Sequence, residues 1–380
     1  MTIRVVESLA GIPEADWNRL LPDDNPFVSH AYLKALETSG AVGEDAGWVP
    51  VHLVDEHDGR PRAALPLYLK DNSWGEFVFD FAWAEAYRRA GREYYPKLVA
   101  AVPFTPVPGP RFLAAPGEDV QARAGALMAA AREQAAAHGA SSLHILFPEP
   151  EAAPWMASGG LALRQDCQFH WRDDGYGDFQ GFLAALTSSK RKKLKRERRR
   201  VAEAGIGFRH VPGAELSEPQ FHDMYRFYAS SFLRRGMTPY FPPAFWRSVL
   251  SDMGDRIRVV LAERDATPVA CAIFFIGGDV LYGRYWGCDE DFHSLHFETC
   301  FYQGIELALA EGLSRFEPGA QGEHKLRRGF RPVATWSGHW LADPGFHQAI
   351  DAWLARERAH MAAYMESAAG HLPFRQEGAD

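Results

Sequence analysis

Cysteine is scarce in this chain of 380 residues, which contains four scattered cysteines and no C-x-x-C pair. Neither a disulfide framework nor a zinc ribbon is therefore indicated. We interpret all four as small core residues. They are Cys167, Cys271, Cys288 and Cys300.

Long apolar runs are missing as well. No stretch approaches the roughly 18 apolar residues that are needed to span a bilayer. The N-terminal sequence MTIRVVESLAGIPEADW lacks the basic start and the apolar stretch of a signal peptide. We therefore expect a cytoplasmic protein without membrane insertion.

Two catalytic signatures are also absent. No G-x-S-x-G occurs, so a serine hydrolase is unsupported. His296 and Glu298 form an H-x-E that is typical of zinc deaminases, but the P-C-x-x-C half of that signature is missing. We expect neither a bound metal nor a resident cofactor.

The length and the 47% apolar content are sufficient for two domains with substantial cores. In the second half the pattern predicts strand, helix, helix, three-stranded antiparallel meander, helix and strand. These elements are predicted at residues 206–211, 220–233, 243–253, 258–263, 269–276, 281–288, 297–309 and 313–316.

The first half shows the same kind of order, which indicates an internal repeat. Its elements are predicted at residues 3–7, 13–21, 29–39, 49–56, 62–69, 122–138 and 142–147. The Pro-rich and Gly-rich stretch 148–160 has the composition of a connector, so we predict domains at 1–160 and 161–380. The proline-rich stretch 102–116 is predicted to be a loop or an edge strand.

The signature segment, residues 295–330, places polar side chains at both ends of a helix-strand unit. Its motifs LHFETCFYQGIE, FEPGAQGEHK and RGF resemble those of the FemAB-like N-acyltransferases of the GNAT superfamily. These proteins are relatives of the enzymes that add amino acids to peptidoglycan precursors. The resemblance spans nearly the whole chain. It implies an α/β (α+β) fold of two tandem GNAT-like units, with mixed, mostly antiparallel sheets flanked by helices.

The resemblance also implies a reaction, in which an acyl or aminoacyl group moves from an activated donor to an amine. GNAT enzymes that use acetyl-CoA hold its pyrophosphate in a glycine-rich turn before the main helix. This chain has DEDFHSLHF at residues 289–297, where no glycine occurs and the acidic residues would repel a pyrophosphate. The departure favours aminoacyl-tRNA over acyl-CoA as the donor, although both stay open.

A basic run at residues 190–200, KRKKLKRERRR, stands out against the net charge of −8. We predict a helix at 188–203 with cationic faces that contact phosphate; a solvated surface helix is the structural alternative. The resemblance implies a family basic stretch here. Its candidate phosphate or donor ligands are Ser189, Lys190, Arg191 and Lys195.

Acyl transfer to an amine requires a proton acceptor and donors for the developing oxyanion. Glu298 or His296 could take the amine proton. Lys325 and Arg328 could neutralise a phosphate or the oxyanion, and they lie closest to a basic position that FemAB-type enzymes keep in a K-x-x-F context. A carboxylate in the first turn of a helix is, however, equally typical of a purely structural role.

We predict further substrate contacts around these candidates. Three lie on the third meander strand, where GNAT folds open a gap between strands, and the others lie in the signature segment. They are Arg284, Tyr285, Trp286, Tyr302, Gln321, His324 and Arg328.

Two functional classes remain. The preferred one is an N-acyltransferase. The alternative is a non-catalytic nucleic-acid-binding protein that binds phosphates nonspecifically through the basic helix. The acceptor is expected to be a small-molecule or peptide amine, and tRNA is a possible partner. No motif specifies the acceptor or the oligomeric state, because pocket and surface shape decide both.

Overall fold

The computed structural model describes residues 2–290, 292–320 and 322–375. The chain divides into two compact units. Unit 1 contains Met1–Cys167 and Ala334–Tyr364, and unit 2 contains Gln168–Val333 and Met365–Asp380. The sequence assigned all of 161–380 to the second domain, whereas residues 334–364 belong to unit 1, because 337–341 pair with the strand at 142–146.

Unit 1 is built from strands that form two groups. Its strands before residue 150 are β1 (Thr2–Val6), β2 (Val49–Pro50), β3 (His52–His57), β4 (Arg60–Leu65), β5 (Tyr68–Lys70), β6 (Lys97–Ala100), β7 (Leu113–Ala114) and β8 (Ser142–Leu146). One antiparallel sheet has the order β1-β3-β4-β7. In the other group β2, β5 and β6 pair antiparallel, and β6 pairs parallel with β8.

The helices of unit 1 cover these strands. They are α1 (Glu14–Asn18), α2 (His30–Thr38), α3 (Phe81–Arg89), α4 (Val120–Ala137) and α5 (Ala152–Ser158). Asp119 caps the N-terminus of helix α4, where its side chain accepts a hydrogen bond from the amide of Ala122. Its residues Leu127, Met128 and Ala131 follow the helical spacing of three and four and lie in the core of unit 1.

The proline-rich stretch 102–116 is mostly irregular and contains β7 at the edge of its sheet, in agreement with the prediction of a loop or edge strand. The guanidinium of Arg111 is buried within it. Its nitrogens donate to the carbonyl oxygens of Val107 at 2.7 Å and Leu146 at 2.8 Å. This one side chain therefore holds the stretch in place by donating hydrogen bonds to main-chain carbonyl oxygens.

Unit 2 contains the predicted meander. Its strands are β9 (Ala162–Arg172, which begins in unit 1), β10 (Ile206–Pro212), β11 (Ile257–Arg264), β12 (Thr267–Gly277), β13 (Val280–Cys288) and β14 (Arg315–Glu317). Strands β10, β11, β12 and β13 pair antiparallel in that order, and β14 pairs parallel with β13 and antiparallel with β9.

The helices of unit 2 are α6 (Phe179–Ala185), α7 (Ser188–Glu203), α8 (Glu218–Leu233), α9 (Pro243–Met253), α10 (Leu295–Phe297) and α11 (Gln303–Ala310). The predicted basic helix is α7. Helix α8 packs closely on β13, because a Cβ built on Gly287 would lie 1.7 Å from the carbonyl oxygen of Phe227. The predicted continuous helix at 297–309 is interrupted by a π-helical turn, Glu298–Tyr302, between α10 and α11.

Strand β15 (Arg331–Leu341) and helix α12 (Pro344–Ala369) follow and lie mostly in unit 1. Both units share one motif: a parallel pair of strands, β6 with β8 and β13 with β14, whose second strand follows a helix. The prediction of two tandem GNAT-like units with mixed, mostly antiparallel sheets and flanking helices is thus confirmed. In the part of the chain that the structure describes, no helix has both the length and the apolar character needed to cross a lipid bilayer.

Candidate active site

Strands β13 and β14 separate at one end, which opens the sheet of unit 2. They pair only at Val280, Leu281 and Tyr282 of β13. Strand β14 ends at Glu317, whereas β13 continues to Cys288. Because the strands no longer pair beyond this point, the second half of β13 has a free edge toward the chain that follows β14.

A β-bulge lies at the point of separation. Ile273 of β12 faces Tyr285, but the next residue, Phe274, faces Gly283, so Arg284 has no opposite residue. A bulge redirects the side chains on either side of it and is frequent beside active sites. Here it directs the middle of β13 toward the opening.

A cavity of about 220 Å³ occupies this opening. Its walls come from β12, β13, the helix that begins at Leu295 and the loop after β14. The predicted residues that line it are Arg284, Tyr285, Trp286, His296, His324 and Lys325. The remaining described lining residues are Ala272, Ile273, Phe274, Gly283, Cys300, Phe301, Pro318, Gly319 and Ala320.

Lys325 is the buried cation of this cavity, with 3% of its surface exposed. Its Nζ donates to the carbonyl oxygen of Gly319 at 2.6 Å. Burial, and then the positive charge of Arg284, lower the pKa of Lys325 to about 7. The side chain can therefore gain or lose a proton near neutral pH, or donate a hydrogen bond to an oxyanion.

Two imidazoles complete the polar part of the lining. The ring of His296 packs against Trp286 and Phe301, with centroids 5.4 Å from each. Burial lowers the pKa of His296 to about 4, and it also lowers the pKa of His324 at the exposed rim. A neutral imidazole is able to accept a proton during a reaction.

The other described candidates from the sequence, Glu298, Tyr302 and Arg328, do not line the cavity. Glu298 is buried, and it accepts hydrogen bonds from Arg198 Nε at 3.1 and 3.2 Å and from Gln303 Nε2 at 2.8 Å. Burial raises the pKa of Glu298. The carboxylate is therefore engaged in a structural ion pair with helix α7.

Tyr302 and Arg328 belong to a second contact with the same helix. Arg328 Nη2 donates to both carboxylate oxygens of Glu197, and its Nε donates to the Tyr302 hydroxyl at 3.0 Å. The Tyr302 hydroxyl also donates to Glu197. These groups satisfy one another, so they hold the signature segment together. Gln321, also predicted to contact substrate, lies outside the described residues.

Helix α7 presents different residues to its two sides. Leu194, Glu197 and Val201 are buried. The predicted donor ligands lie on its first two turns, where Ser189 and Lys195 are exposed and Lys190 and Arg191 are half-buried, and none of them lines the cavity. The exposed basic side chains of this helix are Lys192, Lys195, Arg196, Arg199 and Arg200.

The structure adds a buried acid that the sequence analysis missed. Glu317 ends β14 immediately before the cavity loop and is 4% exposed. Its Oε1 lies 3.3 Å from Arg315 Nε and 3.7 Å from His170 Nδ1, and burial raises its pKa to about 7. Glu317 could have been found from the sequence, because it is an acidic residue in a short apolar strand directly before the Gly-rich turn of the signature segment.

Unit 1 contains a separate buried charge cluster with no counterpart in the sequence analysis. Lys97 Nζ donates to Glu76 at 2.8 Å and to Asp80 at 2.5 Å, and Lys70 lies 3.9 Å from Glu76. The cluster anchors the loop after β5. Across the described ranges, no group of three or more His, Cys, Asp or Glu side chains is arranged to hold a metal ion.

Comparisons with known proteins agree with this architecture. The solved structure of FemX superimposes with a TM-score of 0.55 at 10% identity, covering 92% of this chain and 100% of that chain. The C-terminal domain of a putative lysylphosphatidylglycerol synthetase from Agrobacterium fabrum gives 0.51 at 12% identity, covering 95% and 98%. L-PGS from Bacillus licheniformis gives 0.50 at 11% identity, covering 93% and 98%.

At these identities the structural neighbours establish the fold alone. No curated protein sequence matches the chain. A family model for FemAB-like proteins, described as peptidoglycan biosynthesis/recognition, matches residues 8–376. The chain therefore belongs to the FemAB-like family.

Proposed function

We propose that this protein transfers an aminoacyl group from aminoacyl-tRNA to an amine, and that the reaction occurs in the cavity between β13 and β14. The observation that carries the proposal is the joint lining of this cavity by the buried ammonium of Lys325 and the neutral imidazole of His296, beside a bulged strand. These two groups match the two needs of acyl transfer to an amine, a donor for the oxyanion and an acceptor for the proton.

In the proposed reaction the neutral amine attacks the carbonyl carbon of the aminoacyl ester. A C–N bond forms, and the carbonyl oxygen becomes an oxyanion that accepts a hydrogen bond from Lys325. The amine proton passes to His296 directly or through water. The C–O bond to the ribose then breaks, and the leaving ribose oxygen takes up a proton to become a hydroxyl group.

The charges around the site support tRNA rather than coenzyme A as the donor. Asp289 and Glu290 are exposed just before α10, where GNAT enzymes bind a pyrophosphate. Asp289 pairs with Arg226 and Glu290 lies 3.9 Å from Arg264, so these arginines are engaged by carboxylates rather than available to a pyrophosphate. The outward face of α7, in contrast, carries Lys192, Lys195 and Arg196, which can neutralise several backbone phosphates at once.

The family description supports a peptidoglycan precursor as the acceptor. We propose that its peptide supplies the reacting amine and that the reaction takes place in the cytoplasm. The alternative of a non-catalytic nucleic-acid binder is disfavoured, because a scaffold would have no use for a buried lysine and a neutral imidazole in one cavity.

A transfer assay tests the proposal. Purified protein is incubated with labelled aminoacyl-tRNAs or labelled acyl-CoAs and a peptidoglycan-precursor peptide, with and without ribonuclease. We expect transfer from aminoacyl-tRNA that ribonuclease abolishes, and loss of transfer in Lys325→Gln but not in Arg327→Gln, an exposed cation two residues away. Ribonuclease-resistant transfer from an acyl-CoA would refute the tRNA donor, and RNA binding without any transfer would refute the enzyme.

A further inference from the structure

Arg284 is a cation without a described partner in the wall of the cavity. It lies at the β-bulge of β13, and its Nε is buried and has no hydrogen-bond partner in the part of the chain that the structure describes. The guanidinium lies 6.0 Å from the Tyr285 ring centroid, at the outer limit of a cation–π contact. Two other arginines of this unit, Arg198 and Arg328, both bind carboxylates.

The described residues that line the cavity include no Asp or Glu that could form an ion pair with Arg284. The buried acid Glu317 interacts electrostatically with Arg284, but its Oε1 lies 3.3 Å from Arg315 Nε and it does not line the cavity. The cavity therefore combines aromatic walls with an excess of positive charge.

We propose that Arg284 is a binding site for a carboxylate of the substrate. A guanidinium whose Nε is buried and unpaired carries a desolvation cost, which a carboxylate ligand offsets. Its planar fork matches a carboxylate through two parallel hydrogen bonds. The aromatic side chains of Phe274, Tyr285 and Phe301 in the lining suit the apolar part of the same molecule.

The carboxylate site makes Arg284 a specificity-determining residue. A substrate that places a carboxylate in the cavity is favoured, and one that places an ammonium or guanidinium there is disfavoured by the charges of Arg284 and Lys325. The carboxylate can belong to the acyl group or to the amine acceptor. The assignment of either source rests on the proposed function, whereas the binding of a carboxylate does not.

Binding of small probes to the full chain tests the site directly. N-acetylglycine carries a carboxylate, and N-acetylglycinamide is its neutral isostere. We expect N-acetylglycine to bind the native protein about tenfold or more tightly than the amide by calorimetry. We expect Arg284→Gln to remove that preference, Arg284→Lys to restore part of it, and Arg327→Gln to leave it unchanged.

Three results of the probe-binding experiment with N-acetylglycine and its amide would each overturn the proposal. They are the absence of N-acetylglycine binding to the native protein, equal binding of the acid and the amide, and full retention of the preference in Arg284→Gln. Inorganic phosphate is included as a competitor, and tighter binding of phosphate than of N-acetylglycine would also overturn it. Circular dichroism and thermal unfolding of each variant establish that the fold is kept.

The transfer assay then separates the two sources and the two proposals. Glycine and glycinamide are compared as acceptors, and aspartyl-tRNA and asparaginyl-tRNA as donors, with native protein and Arg284→Gln. If the native protein has a higher kcat/KM for the carboxylate-bearing member of one pair and Arg284→Gln does not, that pair identifies whether the carboxylate belongs to the acceptor or to the donor. Carboxylate binding without any transfer would refute the proposed function alone, and transfer without any carboxylate preference would refute the Arg284 site alone.

Discussion

Arg328 and Glu197 form a buried ion pair, in which Nη2 of the arginine lies 3.1 and 3.0 Å from the two carboxylate oxygens. The arginine also covers the ring of Phe297 at 3.5 Å. The pair connects helix α7 with the turn that contains Lys325, three residues before Arg328. The acidic residue that interrupts the basic run thus positions the lysine of the cavity.

We predict that Glu197→Gln destabilises the protein by about 3–5 kcal/mol, because it leaves the Arg328 charge buried without its partner. Urea denaturation measures the change. The control is Glu203→Gln on the same helix, which removes an exposed pair with Arg199 at 3.4 Å and is expected to cost less than about 1 kcal/mol. Equal stabilities of the two variants would contradict a structural role for the buried pair.

Glu298 and His296 are expected to respond differently to substitution. Glu298→Gln weakens the ion pair with Arg198, so we expect a loss of stability while kcat changes by less than about tenfold. His296→Gln removes the proposed proton acceptor and is expected to lower kcat by about 10²–10⁴. Steady-state kinetics and thermal unfolding of both variants measure these effects. A larger kcat loss in Glu298→Gln would make Glu298 the base.

The stability of the protein should depend on the protonation of Lys325. Burial lowers its pKa from 10.5 to about 7 in the folded state. Between these values the unfolded chain binds a proton that the folded chain does not, so stability rises as pH increases from about 7 toward 10. Below pH 7 the lysine is charged in both states, and the full cost of its burial remains.

Lys325→Met removes this cost, so we expect the variant to exceed the native protein in stability most clearly below about pH 7. The advantage should shrink as pH rises toward about 10. Urea denaturation across this range measures it, and exposed Lys192→Met serves as the control. A stability difference that does not change with pH would mean that the buried lysine is not titrating in this window.

The outward face of α7 should account for a measurable part of RNA affinity. Replacing Lys192, Lys195, Arg196 and Arg199 by Gln is expected to weaken tRNA binding and to flatten its salt dependence, by about 0.7–0.9 in the log–log slope for each lost phosphate contact. Filter binding at several salt concentrations measures the slope. The control replaces Arg88 and Arg89 in unit 1, which are exposed and paired with Glu85. Equal losses in both variants would mean that the binding is not specific to α7.

The sequence predicted the local elements of unit 2 well. The meander was predicted to within two residues at each strand end, and helix α7 was predicted with its exact bounds. Both depend on short-range signals, namely β-branched runs between turns and a continuous stretch of helix formers. The π-helical turn at Glu298–Tyr302 has no such signal, because it depends on what the helix packs against.

The candidate site was predicted in part. Six of the residues chosen from the sequence line the cavity, because strand β13 and the signature turn converge there. Three others, Glu298, Tyr302 and Arg328, are bound to helix α7 instead. The sequence does not indicate whether a charged side chain faces a cavity or pairs with an oppositely charged residue far away in the chain. Either environment can supply the hydrogen bonds that the side chain needs.

Periodicity, turn residues and sequence motifs are local properties of the chain, and they were sufficient to predict the family, the doubled fold and the set of candidate polar side chains. Which of those side chains are free to act depends on long-range contacts that appear only in the folded unit. Lys325 and His296 lie in the opening between two separating strands, while Glu298 and Arg328 are neutralised by Arg198 and Glu197 of a helix about 100 or more residues earlier. Burial and charge pairing are properties of the assembled unit, and they set protonation and availability.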